Sequence, residues 1–209
     1  MTYDGAEKLD GMILWWASLD GPVAIPGAYK VHLNVNGTAL PQAFNIVADQ
    51  RAESSQADMQ KQFDFITDVN TTVDSAHRSI EKIRAINKQL KSFKNQYKED
   101  PAVKDLVLKA DSLSQQFSDI EKALYQTKNK SGQDPLNFPI RLTNKLAHLN
   151  SLVGMDDFPP TSQDIAVKDV LTTAILAELG KLDALIAGEI KTFNAAFNQN
   201  QLNYLFIEE

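Results

Sequence analysis

The chain of 209 residues contains no cysteine. Disulfides, thiolate metal sites and a cysteine nucleophile are therefore excluded together. Histidine is nearly as scarce. His32, His77 and His148 fall on three different predicted elements, and no His-Glu-x-x-His pair occurs, so no metal ligand set is expected. No G-x-x-x-x-G-K-[ST] loop and no G-x-S-x-G elbow is present, which removes the commonest phosphate cradle and the hydrolase nucleophile turn. No cofactor is expected. Positive charge is the minority: 21 Lys and Arg stand against 27 Asp and Glu, a net charge of −6. That balance argues against nucleic acid and against an anionic membrane surface as partners. Long apolar runs are missing too. Met12–Ala17 is too short to span a bilayer, and the apolar-rich stretch from Val170 to Ile190 is broken by Glu178, Lys181 and Asp183. No membrane insertion is expected. Asp4, Glu7 and Asp10 precede the first apolar stretch, where an export signal carries basic residues, so no signal peptide is expected in this segment.

Hydrophobic residues make up 43% of the chain and charged residues 23%, enough for a sizeable core. Glycine and proline are unevenly spread. Five of the 9 glycines and three of the 8 prolines precede Asp49. A boundary is therefore expected near 48–54, separating a β piece over 1–50 from a helical bundle over 54–209.

In the first part, Tyr29, Val31, Leu33 and Val35 alternate with Lys30, His32 and Asn34, the period of a half-buried strand. Asn36-Gly37 follows, a strong hairpin signal because a type I′ turn needs positive φ at both central residues. Gln42–Val47 is the expected return strand, and "GMILWWA" (11–17) a third. A sheet this thin needs a partner for its apolar face. Either the helices cover it, or it belongs to a larger sandwich.

The helices are marked by their stripes. Ser55 and Asp58 form an expected N-terminal cap, and apolar residues then recur at threes and fours from Met59 to Tyr97. Pro101 opens a second helix with the stripe Val103, Leu106, Ala110, Leu113, Phe117, Ile120 and Leu124. A short helix is expected over roughly 139–152. Thr161 or Ser162 caps a last long helix, and the tail beyond Phe197 either packs back or frays. The expected class is α+β, with an antiparallel bundle of three long helices and one short one after the β piece.

Two features invite chemistry. Asn137, Arg141, Asn144 and His148 are spaced four, three and four apart, which would place them on one helix face, opposite Leu142, Leu146, Leu149 and Val153. They form a candidate ligand or partner face, or else the wet side of an ordinary amphipathic helix. Trp15 and Trp16 would face opposite ways on a strand, one anchoring the sheet and the other free for contact. No catalytic constellation accompanies them. Asp64/Asp68 lie on one helix and Asp156/Asp157 on a loop, and neither pair faces across a cleft. No enzymatic activity is expected from these residues.

The segments "GPVAIPGAYKVHLNVNG", "FNIVADQR" and above all "PLNFPIRLTNKLAHLNSLVG" (135–154) resemble the C-terminal region of bacterial sortilin-type β-propeller proteins. These are BNR-repeat proteins often labelled glycosyl hydrolases. The resemblance spans nearly the whole chain. Asp49-Gln50-Arg51 departs from it, since the family tends to have Asp-Pro-Arg there. It implies that the β piece is the end of an Ig-like domain, that the bundle is an accessory module, and that an upstream β-propeller is the partner. It also implies a periplasmic or extracellular setting, and it carries over no catalytic residues. Three functions follow as expectations: a non-catalytic accessory and interaction module, a carbohydrate- or ligand-binding domain attached to a glycoside hydrolase, or a helical homodimerisation module.

Overall fold

A computed structural model describes residues 1–199, with side chains through Phe197. The expectation for the tail lies outside these residues. Among the described residues the fold is α+β: one two-stranded antiparallel hairpin and four helical stretches. The hairpin pairs β1 (Gly27–Val35) with β2 (Thr38–Ile46) in the register Leu33 to Leu40. Asn36 and Gly37 make the turn at φ of 48° and 83°, the left-handed pair that a type I′ turn requires.

Helix α1 (Gln56–Tyr97) has 42 residues, a rod of about 63 Å. Ser55 caps it, its hydroxyl accepting the Asp58 N–H. The expected stripe is the buried one: Val69, Val73, Ala76, Ile80, Ile83, Ile86, Leu90 and Phe93 are all in the core. Helix α2 (Lys104–Leu124) runs back along α1, pairing Lys94 with Asp111 and Arg84 with Glu121, each at 2.7 Å. Helix α3 (Leu142–Val153) continues in the same direction. Its Thr143 hydroxyl donates to the Leu124 carbonyl at the end of α2, and Asn150 meets Asn70 farther down α1.

Helix α4 (Ser162–Ala184) then returns parallel to α1. Lys168 reaches Asp68 at one end, and beyond a π-helical turn (Leu185–Ile190), α5 (Lys191–Gln199) packs Phe193 on Phe93 at the other. The capping box expected at Thr161 is formed with Asp164. The arrangement is thus up, down, up. The short helix is not a fourth layer on the bundle but the second half of the descending rank. Of the helices expected to be long, α2 has 21 residues and the π-helical turn interrupts the last rod. Val167 is exposed, as are Ile165, Val170 and Leu176 on the outer side of α4.

The expected third strand is absent. Residues 10–17 contain a turn at Asp10-Gly11 and a bend at Trp15-Trp16, with Trp16 at φ 52°. The whole segment 1–25 instead folds back on itself and lies along the bundle. Tyr3 N–H donates to Pro22, Ala6 N–H to Leu19, and Ala24 N–H to Met1. The two arms approach so closely that a Cβ on Gly5 would sit 1.9 Å from the Leu19 carbonyl oxygen, and one on Gly21 2.0 Å from that of Tyr3. Leu9 and Met12 enter the helical core. The segment upstream of the hairpin therefore packs with the helices, while the hairpin's apolar side chains Val31, Leu33, Val35 and Leu40 remain exposed.

Candidate functional site

The four residues of the predicted polar face do not share a face. Residues 137–141 are not helical, with Phe138 biased toward extended backbone by Pro139, and the helix starts only at Leu142. A short 3₁₀ turn (Asp134–Leu136) precedes it, Asn137 follows that turn, and Arg141 is the flanking residue before α3. Asn137 and Arg141 are exposed, whereas Asn144 is buried and His148 half-buried. Asp134 organises the turn. It accepts the Lys130 and Ser131 N–H groups and the Ser131 hydroxyl, and these bonds hold its carboxyl below the usual range.

Asn144 and His148 do come together, on the main chain of the N-terminal segment. The Asn144 amide accepts the Trp15 N–H at 2.7 Å and donates to the Trp15 carbonyl at 2.9 Å. A side chain thus stands in for a neighbouring strand. His148 Nδ1 bonds the Trp16 carbonyl; a carbonyl only accepts, so Nδ1 carries the proton. Trp15 is half-buried under this clamp and Trp16 is 69% exposed.

The same device recurs on α1. Asp74 accepts the Glu7 N–H at 2.6 Å, and His77 Nδ1 donates to the Glu7 carbonyl at 2.6 Å. Farther along, Asn70 donates to the Asp20 carbonyl, and Asn150 to both Ser18 and the Asn70 side-chain oxygen. The Tyr125 hydroxyl, at the joint between α2 and α3, accepts the Ile13 N–H. An irregular segment carries backbone groups that no sheet or helix satisfies, and unpaired buried groups are costly. These polar side chains supply the missing partners. His77 is the most enclosed of them. Burial pushes its pKa below the ordinary imidazole value, against the opposing pull of the Glu7 carbonyl, Asp74, Glu7 and Glu81. Its Nε2 has no hydrogen-bond partner.

Asn70, Asp74, Tyr125 and Asn150 were not singled out from sequence. One signal was available: Asn70, Asp74 and His77 follow one another at four and three along α1, a polar stripe beside the apolar one. No nucleophile–base pair is assembled by these groups; they are engaged with main chain. Among the described residues, no group of three or more His, Cys, Asp or Glu is placed to hold a metal ion, and no helix is long and apolar enough to cross a membrane.

One groove of about 1170 Å³ opens beside the cradle, lined among others by Tyr3, Lys8, Asp20, Gln62, Asn150 and Asp157. Asn150 is buried there, and its Oδ1 accepts no hydrogen bond.

No family model, no curated protein and no solved structure matches this chain.

Proposed function

We propose that this chain is a non-catalytic interaction module, the accessory C-terminal part of a larger sortilin-like β-propeller protein, and that the hairpin is its contact element. The observation that supports this most is the hairpin's open apolar side. Val31, Leu33, Val35 and Leu40 are 52%, 61%, 46% and 54% exposed, and the helices leave them uncovered. A two-stranded hairpin is marginal in water by itself, and an apolar sheet face is ordinarily packed on something. The polar groups that could have served a small ligand, Asn144 and His148, are meanwhile occupied by the chain's own N-terminal segment.

The test is binding between this chain and a separately produced sortilin-type bacterial β-propeller, measured by calorimetry. Association is expected, and replacing Val31 and Leu33 by threonine should abolish it while keeping strand propensity. Failure of the intact chain to bind, or full binding by the double variant, sinks the reading. Turnover of chromogenic glycosides that depends on Asn144 or His148 would do the same.

The groove beside Asn150 favours a second reading, a carbohydrate- or ligand-binding domain. Its test is an amide NMR titration with glycans, in which shifts confined to residues 3–5, 18–21 and 150–157 support it and an unchanged spectrum removes it.

A further inference from the structure

The two edges of the hairpin are not equivalent. In an antiparallel pair, opposed residues alternate between those that exchange hydrogen bonds and those whose N–H and C=O point outward. The two-residue turn makes Val35 and Thr38 the first bonded pair, so Leu33/Leu40, Val31/Gln42 and Tyr29/Phe44 are bonded as well. The outward groups then belong to Ala28, Lys30, His32 and Asn34 on β1, and to Ala39, Pro41, Ala43 and Asn45 on β2. Pro41 has no N–H, and the Gln42 side chain donates to the outward Ala43 carbonyl at 3.3 Å. The β2 edge is therefore interrupted at its centre. On β1, Ala28, Lys30, His32 and Asn34 are all exposed, and their outward main-chain groups form an unbroken row.

We infer that the β1 edge pairs antiparallel with the β1 edge of a second copy of this chain, about a two-fold axis at His32. This rests on the reading of the hairpin as the contact element and names its first partner. Such a row of alternating donors and acceptors is self-complementary under a two-fold rotation. Centring it on His32 sets Lys30 opposite Asn34, with no lysine against lysine. It also sets Val31 opposite Leu33 on the apolar side, so the two uncovered faces join.

The product is a four-stranded sheet in the order β2-β1-β1-β2, past the size at which a sheet with one apolar face is stable. Its outer edges are the blocked β2 strands, which end the assembly at two copies. The joined face remains available as a platform for the propeller. The contact is small, so a weak, reversible dimer is expected.

The absence of cysteine makes the test clean. His32→Cys creates the sole thiol, and a bonded antiparallel pair holds Cα atoms about 5.5 Å apart, within disulfide range. Under mild oxidation His32→Cys should cross-link to a dimer fraction several-fold above that of Ala43→Cys on the blocked edge. Lys30→Pro in the His32→Cys chain should abolish cross-linking, because it removes an outward N–H and no bond within the hairpin. Circular dichroism checks that each variant is folded, and Leu33→Lys, which charges the joined face, serves if the proline variant is not. Light scattering on the unmodified chain should show mass rising toward twice the monomer with concentration.

Equal cross-linking at 32 and 43, or a monomer at every concentration with no His32→Cys dimer, overturns the inference. That outcome leaves propeller binding through Val31 and Leu33 to be judged by calorimetry. A dimer that Leu176→Glu on α4 dissolves and Leu33→Lys does not overturns the inference in favour of a helical interface.

Discussion

The Asn144 side-chain amide and the Trp15 main chain exchange two hydrogen bonds although 129 residues separate them. Asn144→Ala leaves both Trp15 groups without partners in a half-buried place. The expected loss is about 2–3 kcal/mol of unfolding free energy, read from urea denaturation. Asn144→Asp is the sharper variant. Its carboxylate still accepts the Trp15 N–H but repels the Trp15 carbonyl, so it should be no more stable than alanine. A value near wild type would show that the clamp contributes little.

The stability of the fold should depend on His77. Its folded pKa is depressed by burial, below the ordinary value of 6.5. The unfolded chain therefore takes up a proton before the folded one does. Stability contributed by the neutral ring is complete above pH of about 6.5 and declines as pH falls from there toward the folded pKa. Thermal melts between neutral and mildly acidic pH should show this decline, and His77→Gln, which can still donate to Glu7, should flatten that part of the profile. An unchanged slope in the variant would assign the pH dependence to other groups.

Gly5 and Gly21 are expected to resist enlargement. A Cβ at either meets opposing main chain at 1.9 or 2.0 Å, so the arms of the N-terminal segment must separate. Gly5→Ala should raise amide hydrogen exchange across residues 1–24 while leaving α1 protected around Ile80. Exchange confined to residue 5 would mean that the arms adapt.

At the far end of the bundle Phe93, Phe193 and Phe197 form a ring cluster with centroids 4.9 to 5.7 Å apart. Phe193 is buried, and Phe193→Ala should cost about 3–5 kcal/mol in denaturant unfolding. A loss under about 1 kcal/mol would mean that the last turns of α5 are not tied into the cooperative unit.

What could be read from sequence follows from how local each signal is. The Ser55 cap, the Asn36-Gly37 turn and the α1 stripe are fixed by neighbours within a few residues, and the structure has all three. The strand expected at 11–17 failed because its partner is not a strand. Asn144 answers Trp15 from another part of the chain, and nothing in the alternation of "GMILWWA" distinguishes a strand neighbour from a side-chain amide. The polar face failed because α3 begins only at Leu142, after the non-helical residues 137–141, which detaches Asn137 and Arg141 from Asn144 and His148. The two that remain hold the protein's own main chain.

That cradle also sets an order of events during synthesis. Residues 7–18 are clamped by side chains made later, Asp74 and His77 first, then Tyr125, and finally Asn144, His148 and Asn150. At about 10 residues per second, Trp15 waits about 13 seconds for Asn144 to be translated, 129 residues on. Throughout that interval the Trp15 main chain lacks its side-chain partner. A segment made early in this stretch is thus enclosed only when the helices that follow it are complete.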